Sequence, residues 1–187
     1  MKFPLATPIA ACISAALAPG ISSAGQTASD QSTAPAPQLL RTQTAFDLVV
    51  RLPYAEAAPL FGPEGERTWA GQHWDPQFLY PQPAHDEQGA VFTVHHGPFT
   101  AVWVNTLFDV ETRHFQYAYF IPEIMVTTID VRFNATDATK TGVHVMYTRT
   151  ALSPKGNEHV TAFTATDRTA SQNWQKALDA CLDTRKR

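Results

Sequence analysis

The chain has 187 residues, a formal net charge of −3, 44% hydrophobic residues, 11% aromatic residues and 17% charged residues. So many aromatics exclude an intrinsically disordered chain, and the near-neutral balance argues against a nucleic-acid partner. Two cysteines exclude a disulfide-dense scaffold and a four-cysteine zinc site, while the length suits one domain with a full core.

Residues 1–24 begin with Lys2 and continue as a mostly apolar run from Leu5 to Ala18. Pro19-Gly20 breaks the run, and Ser22-Ser23-Ala24 supplies the small residues of a cleavage site. This is the layout of a secretory signal peptide, too short and too proline-rich to span a bilayer. It predicts a periplasmic or extracellular protein with no stable membrane insertion after cleavage. Ile9-Ala10-Ala11-Cys12 also resembles a lipobox, so lipid anchoring at Cys12 is the minor alternative. Cleavage after Ala24 removes Lys2 and Cys12, leaving 13 basic against 17 acidic residues and Cys181 as the sole cysteine. Residues 25–40 are rich in Gln, Ser, Thr, Ala and Pro and read as a flexible linker. A single domain is expected over 41–187.

Thr42 to Leu52 reads as a first strand, stopped by Pro53. Two short helices follow, Tyr54 to Phe61 and Glu64 to Ala70, punctuated by Gly62-Pro63 and Gly71. Strands are then expected at 90–95, 99–108, 114–120, 124–134 and 141–152, joined by short turns as in an antiparallel meander. The clearest is 124–134, where Met125, Thr127, Ile129, Val131 and Phe133 alternate with Thr128, Asp130, Arg132 and Asn134. Ser153-Pro154-Lys155-Gly156-Asn157 reads as a break. A long helix is predicted from about Val160 to Thr184, with Phe163, Ala170, Trp174, Ala177, Leu178 and Cys181 along one stripe. Asp167, Arg168, Gln172, Lys176 and Asp179 occupy its other side, and Arg185-Lys186-Arg187 complements the helix dipole.

The fold class expected is α+β: a curved antiparallel sheet of about six to seven strands gripping a long C-terminal helix. Particular stretches sharpen this. Phe61-Gly62-Pro63-Glu64-Gly65-Glu66-Arg67-Thr68-Trp69-Ala70 with Trp74-Asp75-Pro76 resembles members of the START-like (SRPBCC, helix-grip) superfamily. So do Gly89-Ala90-Val91-Phe92-Thr93, Val102-Trp103-Val104 and Phe115-Gln116-Tyr117. Thr148-Arg149-Thr150-Ala151-Leu152-Ser153, running into Lys155-Gly156 and the helix with Trp174, continues the likeness across residues 41–184. The resemblance implies a hydrophobic cavity between sheet and helix, and relatives that bind lipids, sterols, polyketides or other apolar ligands. A minority of such relatives are cyclases or hydrolases. The export signal sets this chain apart from most of them.

Strand phasing nominates the ligand-facing residues. Met125 and Thr127 share a face, as do Tyr117 with Tyr119, and Tyr147 with Val143 and Val145. Tyrosines suit a pocket because a ring supplies apolar area and its hydroxyl one hydrogen bond. His96 keeps the phase of Phe92 and Val94 and falls at the cavity rim, where it could orient a ligand or act as a base. Trp69 and Trp74 cover one end, and Trp103, Phe163 and Trp174 complete the expected lining. The competing reading is a packed core filled by these same side chains. The seven histidines show no zinc spacing, and adjacent His95 and His96 point to opposite faces of a strand. Glu64, Glu66 and Arg67 read as first-turn helix chemistry. There is no nucleophile elbow, phosphate loop or dinucleotide fingerprint, so no cofactor is expected. The sequence thus points to a small-molecule binder. A cyclase or hydrolase using His96 with a tyrosine, and an interaction domain with a filled core, are the alternatives.

Overall fold

The computed structural model describes residues 37–185. The expected signal peptide, and the expected linker up to residue 36, lie outside the described residues. Seven antiparallel strands form one sheet in the order β1-β7-β6-β5-β4-β3-β2. They are β1 (Arg41–Val50), β2 (Gln77–Tyr80), β3 (Val91–His96), β4 (Phe99–Asp109), β5 (His114–Ile121), β6 (Met125–Asp137) and β7 (Lys140–Ala151). β2 to β7 form a meander, each paired with the next, of which β3 to β7 is the expected part. The first strand instead pairs with the last, from Arg41 opposite Thr150 to Val50 opposite Thr141.

Between β1 and β2 lie α1 (Tyr54–Ala57), a 3-10 turn (Ala58–Phe61) and α2 (Pro63–Glu66). α2 takes its N-terminal partner from a distant loop: the Asp86 carboxylate accepts from the Glu64 N–H at 2.8 Å. That approach leaves no room for a side chain at Gly62, whose added Cβ would lie 2.1 Å from Asp86 Oδ2. The second helix is shorter than expected, ending at Glu66 rather than Ala70. β2 was absent from the expectation, because four residues between Pro76 and Pro81 carry too little alternation to stand out.

The C-terminal helix begins earlier than Val160. The Ser153-Pro154-Lys155-Gly156-Asn157 stretch is its first turn: the Ser153 hydroxyl accepts from Gly156 N–H at 3.1 Å, with Pro154 at the first helical position. Those residues also occur in turns, which is why the sequence alone misassigns them. α3 (Pro154–Thr166) passes through a 3-10 turn (Asp167–Thr169) into α4 (Ala170–Arg185). Gly156 sits against the backbone of the β5–β6 turn, and an added Cβ would lie 2.0 Å from the Ile124 carbonyl oxygen.

The helix is fastened to both sides of the sheet's first strand. Leu40, just before β1, donates its N–H to Asn157 Oδ1 at 2.7 Å and accepts from Ala151 N–H at 2.8 Å. Further along, the Gln175 side-chain amide on α4 pairs with the backbone of Val49, accepting from its N–H at 2.9 Å and donating to its carbonyl at 2.8 Å. Arg51 binds Asp179 and Asp183, each at 2.9 Å. Leu178 and Leu182 carry the apolar face of α4 into the core. No helix among the described residues is long and apolar enough to cross a membrane.

Candidate functional site

The strand register sets two rows of side chains across the concave face. One runs Phe92, Trp103, Tyr119, Thr127, Arg149, from β3 to β7. The next runs Asn105, Tyr117, Ile129, Tyr147. Directly opposed side chains on one face lie close enough to pack, and here most are aromatic. Trp103 stacks on Tyr119 with ring centres 4.3 Å apart and on Phe92 at 5.8 Å.

Above these rows, under α3 and α4, is a cavity of about 1060 Å³. That is at the upper end of the ordinary range for small-molecule sites. Trp69, Trp74, Trp103 and Trp174, the four tryptophans of the chain, all line it. Trp69 meets Trp174 edge-on at 5.1 Å, and Trp74 meets Trp103 edge-on at 5.2 Å. Two indoles are tethered: Trp69 Nε1 donates to the Leu60 carbonyl at 2.6 Å, and Trp74 Nε1 to the Pro63 carbonyl at 2.8 Å. Trp103 Nε1 is buried with no hydrogen-bond partner among the described residues.

Arg149 and Asp167 join sheet to helix. Their side chains are 4% and 8% exposed, and the pair is bidentate at 2.5 and 3.0 Å. The Thr44 hydroxyl on β1 also donates to Asp167. A buried ion pair repays its desolvation only with such geometry. The expectation that Asp167 belongs to the solvent side of the helix is therefore corrected. The helix changes to a 3-10 turn at that residue, and its carboxylate points onto the sheet.

Of the residues nominated as ligand-facing, ten line the cavity: Trp69, Trp74, Phe92, His96, Trp103, Tyr117, Tyr119, Tyr147, Phe163 and Trp174. Met125 and Thr127 share the concave phase but are fully buried and do not reach the cavity wall. Thr127 is short, and its neighbours across the sheet, Tyr119 and Arg149, are long. The tyrosines differ in what they offer. Tyr117 spends its hydroxyl on the Phe61 carbonyl at 2.6 Å. Tyr147 has no hydroxyl partner among the described residues, and burial raises its pKa, as it does for Tyr119. His96 stacks on Trp103 and Tyr119 at 5.9 and 5.5 Å. Burial lowers its pKa, which keeps the ring neutral, and its Nε2 is buried without a partner among the described residues.

The residue that sequence reasoning missed is Glu66. A carboxylate in the first turn of a helix has a ready explanation in the dipole, so nothing in the sequence marks it further. In the structure it lines the cavity. Burial, and secondarily the charge of Asp86, hold its carboxyl well above the usual carboxylate range. Four of the seven histidines also line the cavity: His73, His95, His96 and His159. His159 meets Phe99 edge-on at 5.2 Å, joining α3 to the β3–β4 hairpin.

No protein-family model matches the sequence, and no curated protein does. Solved structures do match. A norcoclaurine synthase from Thalictrum flavum superposes with a TM-score of 0.58 at 12% identity, over 80% of this chain and 99% of that one. Ara h 8.0201 gives a TM-score of 0.53 at 12% identity, over 75% of this chain and 99% of that one. The di-domain aromatase/cyclase BexL gives 0.56 at 11% identity, over 74% of this chain and 46% of that longer one. At such identities the likeness concerns the fold alone, which is the helix-grip fold.

Two outcomes follow from the buried Arg149–Asp167 pair and from the half-buried Glu66. Asp167→Ala strands the Arg149 guanidinium and should cost about 3–5 kcal/mol in urea unfolding, most of it recovered in the Asp167→Ala/Arg149→Met double variant. Glu66 binds its proton more tightly folded than unfolded, so its contribution favours the native state only at low pH. That contribution is lost as pH rises from about 4.5, the ordinary carboxylate value, through the raised folded value. Glu66→Gln should therefore match the wild type near pH ~4 and exceed it near pH ~8 in thermal unfolding.

Proposed function

We propose that this protein is a carrier or receptor for a small, largely aromatic or polycyclic molecule, held between the sheet and the C-terminal helices. The observation that supports this is the open, aromatic-walled cavity of about 1060 Å³. Affinity would come from apolar area removed from water, at roughly 25 cal/mol per Å². The unpartnered groups of His96, Trp103 and Tyr147 would orient the ligand. A Thalictrum flavum norcoclaurine synthase of this fold has been crystallised with dopamine and hydroxybenzaldehyde, both single-ring aromatic molecules.

Binding is the first reading because the wall is mostly aromatic and apolar; the cyclase or hydrolase alternative would use His96, which stacks on Tyr119 at the same wall. The cavity volume likewise favours binding over the filled-core interaction domain. We further propose that the chain is exported, on the signal-like layout of residues 1–24.

Because every tryptophan lines the cavity, intrinsic fluorescence reports its occupation directly. A neutral polycyclic probe such as N-phenyl-1-naphthylamine should quench it saturably. Ala177→Phe, which places a ring in the cavity, should abolish that quenching while leaving the unfolding transition cooperative. Unchanged probe binding in that variant would remove the cavity from the account. Expression of the full chain in a bacterial host should yield a periplasmic protein whose mass corresponds to a start at Gly25. An intact cytoplasmic chain would overturn export.

A further inference from the structure

We propose that the cavity selects an organic ammonium, with the ligand's charged nitrogen against the Glu66 carboxyl and its apolar body among the indoles. This rests on the binding role proposed above and names the chemistry of the ligand.

Glu66 has no side-chain hydrogen-bond partner and no cationic neighbour among the described residues. The cations nearest to it in sequence or in the cavity are engaged or solvated. Arg67 binds Glu64 at 2.8 Å and Asp75 at 2.6 Å. Arg149 is held by Asp167. Lys155 is exposed in the first turn of α3. What acts on Glu66 from the protein side is negative or neutral: Asp86 from the loop before β3, with the hydroxyls of Tyr117 on β5 and Tyr147 on β7 close enough to feel its charge. A carboxyl left in this state at a cavity wall is an unfilled half of an ion pair.

The walls match a cation as well. Trp69 lies one turn beyond Glu66, its N–H bonded to the Glu66 carbonyl at 3.1 Å, and Trp174 packs against it. Indole and phenol faces carry negative potential and attract an ammonium, most strongly where water is excluded. The same faces repel an anion. A neutral ligand would gain only the apolar contact and one hydrogen bond. An ammonium gains those, the ring faces and the charge of Glu66, which ionises as the ligand enters and releases its proton to solvent.

That released proton gives the binding a pH signature. Affinity for an amine rises with pH as Glu66 loses its proton more readily. The other titratable or charged side chains of the wall are His73, His95, His96 and His159, the exposed Lys155, the three tyrosines Tyr117, Tyr119 and Tyr147, and the Arg149–Asp167 pair; those that carry positive charge oppose a cation. Glu66→Gln separates the two contributions, since it removes only the first.

The test uses the intact chain and two probes of nearly equal shape, naphthylmethylamine and naphthylmethanol, titrated calorimetrically near pH ~6 and ~8. The wild type should bind the amine about tenfold or more tightly than the alcohol at the higher pH. The preference should shrink at the lower pH. Glu66→Gln should lose most of the amine preference, keeping only the part supplied by the ring faces, and should lose the pH dependence that Glu66 contributes. Equal affinity for the two probes in the wild type overturns the ammonium proposal and leaves the cavity as a binding site. So does an amine preference that is undiminished in Glu66→Gln. If neither probe binds, the binding role itself falls, and the ammonium proposal with it. The wild-type comparison decides the matter even if the variant fails to fold.

Discussion

The cavity depends on the Arg149–Asp167 pair. A long amphipathic helix over a concave sheet would ordinarily settle until side chains interdigitate, because burial of apolar area rewards every ångström of approach. Here the guanidinium rises from the sheet floor and meets a carboxylate on the helix, buried at both ends. The pair fixes the spacing between the layers: closer approach would distort a bidentate geometry that alone repays the desolvation of two charges. The 3-10 turn at Asp167–Thr169 is where the helix adapts to that anchor. Thr44 reaches the same carboxylate from β1, so the pair is tied to an edge strand as well as to β7. The space beside the pair is what the aromatic rows then line.

Those rows give the cavity its character. Cross-strand register places large flat rings side by side, and flat rings cover a wall without filling the space in front of it. The few polar groups among them are unequal. Tyr117 is committed to holding the 3-10 turn after α1 against β5, so its role is structural although its ring faces the cavity. His96 and Tyr147 have polar atoms without a partner among the described residues. Glu66 is brought in by the short α2, which is itself positioned by Asp86 from another loop and admitted by the absence of a side chain at Gly62. A carboxyl thus enters an apolar site through a helix of only four residues.

Much of this was legible from pattern. Alternation over 124–134 located both β6 and its buried face, and the phase of Tyr117, Tyr119 and Tyr147 identified cavity wall. Besides the short β2, three things were not legible, for separate reasons. Ser153-Pro154 serves equally as a turn and as a helix start, and only the Ser153 hydroxyl bonding Gly156 N–H decides between them. Met125 and Thr127 carry the right phase, but phase says which face a residue is on and nothing about which longer neighbour overlies it. Glu66 and Asp167 sit on helices at positions where an acidic residue has a local explanation. Their partners, or lack of them, lie on strands distant in sequence.

The Gln175–Val49 contact bears on how the molecule meets its own kind. An open sheet ends in strands whose unpaired N–H and C=O groups invite another chain to add on. At the β1 edge a single primary amide from α4 occupies both groups of Val49 at once, as a neighbouring strand would, and Arg51 is drawn over the helix beside it. The opposite edge, β2, is cut to four residues and runs into Pro81 and Pro83, which have no N–H to offer. Both margins of the sheet are thereby blunted against strand-by-strand polymerisation. A protein with exposed Leu79 and Tyr80 at one margin can in this way keep an open sheet.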